Sequence, residues 1–504
     1  MKNAKSTRRL LVSNLKWNYV QNAAMLVLGI ATSVVVVRGL GSIDYGKLSV
    51  LMAFFSFLLL VSGLGFETAI SVELPILKAQ PNFERKQSFM MRKLVTYRVF
   101  IIAIFLLSIV GFSGQIANLL KSNELQRYIF LIASSIFVAQ LAALFNTIFL
   151  VHLDIRLRTI IAILSTLCNL GLFYFFIYIL SLNIRGYWYA TLIGAVVNFL
   201  LIFRLTNKIL KPPPEKIDMR PALLMGRYTW LNNFVDNFLN ENIDILLCSF
   251  FLVSPKFVGN YRLVFRITRF LTFFNLGFAP IARTIMAQKY GESKENLIPY
   301  CNTFIKVAFI LSAPFLVFAF FQAKNIFFVL YGHDFIEAGR VMMVYLIFCI
   351  VRIILGGHFL GAVFKVTKDI KTYTIIFIFA GVLNLILDLA FIPLWSIWGA
   401  LYATGISLIS MSFAHLVLFY KKFNALPPIL FMLKGLSIFV CASLPLLLFV
   451  NKRGVIYLVL SFLIFVSLSI FLTKCIGLIS EEDKYYLQTL EGFPKRILEF
   501  LNLI

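Results

Sequence analysis

Charge is scarce in this 504-residue chain: Asp, Glu, Lys and Arg make up 14% of it, and only 22 residues are acidic. Soluble domains carry about a quarter charged residues, so an ordinary soluble fold is excluded at the outset. Histidine occurs four times, as His152, His333, His358 and His415, with no spacing suited to metal ligation; these read as structural or exposed residues. Six cysteines (Cys168, Cys248, Cys301, Cys349, Cys441 and Cys475) stand singly within or beside apolar runs, with no CxxC pair. That removes the zinc and redox frameworks and leaves them as small buried hydrophobes. No polar stretch is long enough for a soluble domain, which argues against a membrane enzyme with an external catalytic loop. The basic start, residues 1–16, lacks a small-residue cleavage site and reads as a tail running into a first span rather than a signal peptide.

What is abundant is apolar surface. The chain is 60% hydrophobic, contains 54 Phe and has a mean hydropathy of +0.90. A helix needs about 20 apolar residues to cross the hydrocarbon core. Fourteen segments qualify: 17–37, 48–66, 95–112, 128–150, 160–181, 187–203, 228–252, 263–280, 302–322, 341–364, 372–392, 396–420, 428–450 and 455–473. Pro314 interrupts the ninth, where neighbouring helices can satisfy the freed carbonyl. The expected fold class is therefore all-α integral membrane. Net charge is +25, which in a soluble chain would suggest nucleic acid. Here the basic residues gather between apolar runs on alternate sides. With the N-terminus in the cytosol, the inside segments carry 31 of the 47 Lys and Arg and the outside loops 11. Lys and Arg accumulate on the cytoplasmic side of membrane proteins, so both termini are expected there and nucleic acid is not an expected partner.

The clearest linker is 208–221, with Lys211-Pro212-Pro213-Pro214-Glu215 at its centre; a proline run reads as a stiff spacer. It separates an N-terminal lobe of six spans (1–207) from a C-terminal lobe of six (222–425). Two further spans follow (426–475), then a tail (476–504) whose alternation of charge with Leu, Ile and Phe suits an amphipathic helix on the membrane surface. The lobes repeat at an offset of 213–215. Trp17 matches Trp230, Gly46 matches Gly259, Asp154-Ile155 matches Asp369-Ile370, Asn169 matches Asn384, and Tyr189-Ala190-Thr191 matches Tyr402-Ala403-Thr404. Six spans per lobe make this a parallel repeat, an architecture that places a substrate path between repeated halves and favours a carrier over an enzyme.

Polar residues inside spans are costly and mark function or pairing. The seventh span carries Asn233, Asp236, Asn237, Asn240, Glu241 and Asp244 at one-face spacing; the eighth carries Arg262, Arg266 and Arg269, and the tenth Arg352. The arginines suit bidentate contact with a phosphate-like anion; an ion-pair ladder with the acids of the seventh span is the other reading. Asn384 and Asp388 lie one turn apart in the eleventh span, with Thr404 in the twelfth. Asn14, Asn18 and Asn22 form a weaker stripe that suits cavity lining or helix packing.

Several short patterns resemble a known family. They are Arg38-Gly39-Leu40-Gly41 followed by Tyr45-Gly46; Leu330-Tyr331-Gly332 followed by Phe335 and Ala338; and Ile392-Pro393 followed by Ile397-Trp398-Gly399-Ala400 and Ala403-Thr404. In their order and spacing, across residues 10–425, they resemble the multidrug/oligosaccharidyl-lipid/polysaccharide exporter superfamily, nearest its O-antigen-type and lipid II-type flippases. The resemblance implies two six-helix lobes around a polar cavity. It implies a flippase moving a polyprenyl-pyrophosphate-linked oligosaccharide to the outer leaflet of a prokaryotic inner membrane by alternating access, with the pyrophosphate as ligand of Arg262, Arg266, Arg269 and Arg352. It implies no cofactor beyond a coupling Na+ or H+. In the lipid II-type branch an acid of the seventh span joins an Asn-x-x-x-Asp pair and a threonine around sodium; the matching positions are Asp244 (or Asp236), Asn384, Asp388 and Thr404. Envelope glycan polymerases or transferases are the implied partners. A cation-coupled multidrug antiporter of the same superfamily is the alternative, kept open by the acidic stripe of the seventh span.

Overall fold

The structure is a computed structural model that describes residues 2–78, 80–151, 155–237 and 241–478. The described residues contain helices and no strand. The expected amphipathic tail from 481 onward, Asp154, Asn240 and His152 lie outside them, as do the side chains of Asn14, Asn18, Asp236, Asn237 and His358.

Helix α1 (Lys2–Gly63) runs for 62 residues, roughly 90 Å at 1.5 Å per residue, far beyond the ~30 Å hydrocarbon core. It holds the first two expected spans, divided at Gly41, whose φ of 74° and ψ of 177° break the helical path. A residue without Cβ takes that conformation at no steric cost. Then come α2 (Phe66–Lys78), α3 (Phe83–Gly111), the short α4 (Ser113–Leu119), α5 (Asn123–Val151), α6 (Ile155–Tyr174), α7 (Asn183–Thr206), α8 (Arg220–Asn237), α9 (Glu241–Phe250) and α10 (Pro255–Leu271). The remainder comprises α11 (Phe273–Glu292), α12 (Leu297–Tyr331), α13 (Ile336–Ile354), α14 (Gly357–Val366), α15 (Ile370–Trp395), α16 (Ile397–Phe423), α17 (Ile429–Ser443) and α18 (Val455–Ile476).

Among the described residues ten helical segments are long and apolar enough to cross a membrane, and His333–Ile354 with Phe359–Val366, bent by 42°, makes an eleventh if taken as one span. Fourteen were expected, and the way the helices are joined and divided accounts for part of the difference. Val20–Gly63 counts once but contains two spans. The eighth expected span is divided at Thr272 into α10 and α11 and carries the arginines; the seventh, of which residues 238–240 lie outside the described ones, carries Glu241 and Asp244. Such segments cannot face lipid along their length and need protein around them. Accordingly, Glu241, Ile243, Asp244, Ile245 and Cys248 of α9 are buried.

The chain packs as two compact units, Met1–Gly259 and Asn260–Ile504. In the first, a core of Phe66, Ile70, Leu94, Phe145, Ile148 and Ile202 joins α2, α3, α5 and α7. Helix α8 packs on α2 and α9 on α1, which is why both belong to this unit although they follow the proline-rich linker. That linker is fastened to α3: Ser88 Oγ donates to the Pro212 carbonyl at 2.8 Å, Arg92 Nη2 to the Leu210 carbonyl at 2.6 Å, and the Glu215 N–H to the Arg85 carbonyl at 3.2 Å. In the second unit α12 is central. Its Phe309 meets Phe439 of α17 at 6.0 Å between ring centroids, and its Phe318 meets Phe465 of α18 at 5.7 Å.

The internal repeat has a structural counterpart. In the α6–α7 hairpin a Cβ on Gly186 would lie 2.8 Å from the Phe176 carbonyl oxygen; in the α15–α16 hairpin a Cβ on Gly399 would lie 2.2 Å from the Phe391 carbonyl oxygen. The two glycines are 213 positions apart and the two phenylalanines 215. The N-terminal hairpin therefore has two extra residues in its connection, which accounts for the drift in the repeat offset.

Candidate functional site

Helix α10 interleaves aromatic and cationic side chains. Tyr261 and Phe265, both buried, stack at 4.8 Å, and Phe265 meets Tyr345 of α13 at 4.4 Å. This aromatic contact ties α10 to α13. Arg262, Arg266 and Arg269 follow one another at four and three residues, so they share a stripe of the helix. Arg262 and Arg266 are partly buried and Arg269 is exposed. Arg352 lies seven residues, two helical turns, beyond Tyr345, on the α13 face that meets α10, and is partly buried. The C-terminal unit thus contains all four arginines singled out in the sequence, three on one helix and the fourth on its packing partner. A guanidinium row of this kind matches the oxygens of a phosphate or diphosphate.

The second constellation lies on α15 and α16, which pack along their length. Asn384, Asp388, Thr404 and Ser407 are all fully buried. Asn384 Nδ2 donates to Asp388 Oδ2 at 2.9 Å, and the Thr404 and Tyr261 hydroxyls are 3.4 Å apart. Ser407 was absent from the sequence reading, although the repeat points to it. In the N-terminal hairpin Asn169 fills the space that Gly194 leaves, with Asn169 Oδ1 only 1.5 Å from where a Cβ on Gly194 would be. Asn384 and Ser407 are their equivalents at offsets of 215 and 213. Ser407 Oγ is buried and has no hydrogen-bond partner among the described residues. Carboxylate, amide and hydroxyl oxygens are the donors that a hard alkali cation takes, so the chemistry of this cluster fits Na+. Among the described residues no group of three or more His, Cys, Asp or Glu is placed to hold a metal; a transition-metal centre finds no ligand set there. Asp244, expected as the acidic fourth ligand, is fully buried in α9, within the N-terminal unit.

The structure adds a group that sequence reading placed in a loop. Arg98 of α3 is fully buried. Its guanidinium donates to the Ser62 carbonyl at 3.1 Å, to Gln140 Oε1 at 2.7 Å and to Glu67 Oε1, and lies 4.9 Å from the Phe66 ring centroid. Gln140 Nε2 in turn donates to the Leu59 carbonyl at 2.6 Å and Ser62 Oγ at 2.8 Å. One side chain thereby fastens the end of α1, the start of α2, α3 and α5. Arg98 was counted among the basic residues of an inside segment; the apolar run that begins at Val99 and the polar residues at 62, 67 and 140 were the available signals.

A family model described as polysaccharide biosynthesis protein matches residues 11–274, and one described as MatE matches residues 231–390. Among solved structures, the lipid II flippase MurJ in an inward closed conformation superposes with a TM-score of 0.68 at 15% identity, over 92% of this chain and 98% of that one. An inward-facing multidrug resistance MATE family transporter of the MOP superfamily gives 0.67 at 17% identity, over 80% and 94%. A MOP superfamily transporter from Pyrococcus furiosus Vc1 (DSM3638), described as having a binding pocket of reverse polarity, gives 0.54 at 17% identity, over 82% and 96%. At these identities the likeness is one of fold. No curated protein matches the chain in sequence.

Proposed function

The chain belongs to the polysaccharide biosynthesis protein family, and from that premise we propose that it carries a polyprenyl-pyrophosphate-linked oligosaccharide from the inner to the outer leaflet of the cytoplasmic membrane by alternating access. The observation that carries this reading is the row of arginines on α10. Arg262, Arg266 and Arg269 follow one another at four and three residues, with Phe265 among them meeting Tyr345 of α13. A cationic stripe on a membrane-embedded helix favours an anionic substrate. The sugar and pyrophosphate would meet the arginines, with Arg352 beside them, while the polyprenyl tail stays in lipid. Two negative charges moving outward through a 100 mV inside-negative potential gain about 4.6 kcal/mol, enough to give the movement a direction. The bias of Lys and Arg supports placing both termini in the cytosol. Enzymes that build or polymerise the envelope glycan would be the upstream and downstream partners; the chain itself acts as a carrier.

Coupling to Na+ or H+ would use Asn384, Asp388 and Thr404 on α15 and α16. Asp388→Ala should abolish binding of radiolabelled sodium to the purified protein; binding equal to wild type would remove the cation from the scheme.

A second reading, cation-coupled multidrug antiport, has its own observation: the buried Glu241 and Asp244 of α9 in a segment that the MatE model also matches. The two readings separate on substrate competition. Lipid-linked oligosaccharide, and not cationic dye, should compete for the purified protein; displacement by dyes alone would favour antiport.

A further inference from the structure

Helix α8 follows the proline-rich linker and by the repeat belongs to the second lobe, yet it packs in the first compact unit, on α2 and the end of α1. One stripe holds it there. Ala222 and Gly226 are buried and Trp230 half-buried, four residues apart and so on one face. Leu224, Tyr228 and Leu231 are exposed. At Gly226 two backbones meet. A Cβ on Gly226 would lie 2.5 Å from the Gly65 carbonyl oxygen and 3.6 Å from the Ala69 Cβ, and one on Gly65 would lie 1.9 Å from the Gly226 carbonyl oxygen. One turn further on, Trp230 Nε1 donates to the Leu60 carbonyl at 2.8 Å. One turn beyond that, Phe234 meets Phe57 at 6.3 Å between ring centroids.

The surface beneath α8 is held from within the first repeat. The last carbonyls of a helix have no partner inside it. At the end of α1 the Ser62 carbonyl accepts from Arg98, and the neighbouring Leu59 carbonyl accepts from Gln140. The Leu60 carbonyl, between them, takes its donor from the second repeat. Trp17, the repeat counterpart of Trp230, stays within its own lobe, where the Arg156 guanidinium lies 5.4 Å from its ring. The contacts that seat α8 are thus a glycine crossing, one neutral hydrogen bond and an aromatic pair. A neutral hydrogen bond exchanged for one to water changes the free energy little, so this seam parts and re-forms cheaply. The charge bias assigns 67–98 and 204–227 to the cytosol, which puts the Gly65–Gly226 end of the seam at the cytosolic face.

We propose that this seam is a latch on the cytosolic side of the carrier. α8 lifts from α1 and α2 to admit substrate and returns to shut water out. Gly226 lets the two backbones close fully, and the Trp230 indole, by its bond to the Leu60 carbonyl, sets the closed position. In taking the admitted substrate to be a lipid-linked sugar the proposal rests on the function given above; the latch itself is read from the contacts.

The test uses the full-length protein in inside-out membrane vesicles, with its six native cysteines replaced by alanine. Ala69 is fully buried beneath α8, so Ala69→Cys reacts with a membrane-impermeant maleimide only when α8 has lifted. Trp230→Phe, which removes the N–H and keeps a ring, should speed that labelling about fivefold, the equivalent of a hydrogen bond worth about 1 kcal/mol. Gly226→Ala, whose methyl group would meet the Gly65 carbonyl, should speed it further, and Trp17→Phe should leave it unchanged. Lys78→Cys, at an exposed position of α2, should label fast and equally in every variant, which separates lifting from unfolding. Equal labelling of Ala69→Cys with and without Trp230→Phe and Gly226→Ala, or labelling already as fast as that of Lys78→Cys before either is introduced, overturns the proposal. The two readings fail separately. Labelling that responds to Trp230 in a protein that moves no lipid-linked sugar would preserve the latch and dismiss the flippase. Flipping by a protein whose labelling ignores both substitutions would do the reverse.

Discussion

Arg98 illustrates the conditions under which a single charge sits inside a membrane-spanning helix. It is fully enclosed, and its guanidinium is shared among a carbonyl, an amide and a carboxylate. Removing one partner of a buried ion pair costs about 3–5 kcal/mol because the other is stranded. Glu67 keeps a third of its surface exposed, so Arg98→Met should lie near the lower end, about 3 kcal/mol, read as a fall in unfolding midpoint in detergent; unchanged stability would show that the pair is dispensable. Arg98 went unnoticed in the sequence because charge counting treats a basic residue at a span boundary as topology, and nothing local announces a partner 31 or 42 positions away. His415, read in the sequence as structural or exposed, is buried between Phe364 of α14 and Tyr373 of α15, neighbours that its own helix does not announce. Asp369, outside the spans, offers a pH-dependent counterpart. The hydrogen bond from Lys422, with a further one from Thr372, holds its carboxyl below the usual range. Its folded value lies under its unfolded one, so its contribution is complete above the ordinary carboxylate pKa of about 3.9 and fades as pH falls below that. Asp369→Asn, which keeps the helix cap, should be slightly less stable than wild type at neutral pH, with the gap narrowing as pH falls below the ordinary carboxylate range toward the lowered folded pKa. A gap that persists unchanged at pH 3 would assign the effect to packing.

At the scale of the element, the apolar runs were legible and their interruptions were not. α15 and α16 follow the expected 372–392 and 396–420 within a few residues, because an uninterrupted apolar run has one stable form in lipid. The bend at Gly41 and the division of the eighth span into α10 and α11 depend on backbone geometry that hydropathy does not carry. The repeat was legible as scattered identities, and the structure explains two of its elements as contacts. Gly186 and Gly399 are required because the carbonyls of Phe176 and Phe391 occupy the space of a side chain. Gly399→Val should therefore part the α15–α16 hairpin and disturb the Asn384, Asp388 and Thr404 cluster that depends on it. The expected signs are a lower unfolding midpoint and loss of sodium binding together. Loss of neither would mean that the hairpin tolerates a Cβ. The cation site itself was half legible: the Asn384–Asp388 pair follows from one-turn spacing, whereas Ser407 becomes visible only when the repeat is laid over the Asn169–Gly194 contact.

The whole molecule combines a net charge of +25, a helical membrane fold shared with MOP superfamily transporters and a cationic stripe on α10. An anionic, lipid-linked sugar is proposed to cross by way of those arginines. The direct measurement is flipping in proteoliposomes containing polyprenyl-pyrophosphate oligosaccharide, following the glycan that becomes accessible to an added glycosidase. Wild type and Arg266→Ala/Arg269→Ala would be compared with and without an imposed membrane potential. Protein-dependent movement is expected, faster when the glycan-accepting side is positive, and at least tenfold slower in a double variant that remains folded. Movement at the wild-type rate in the double variant, or none by the wild type under any imposed potential or sodium gradient, would contradict it.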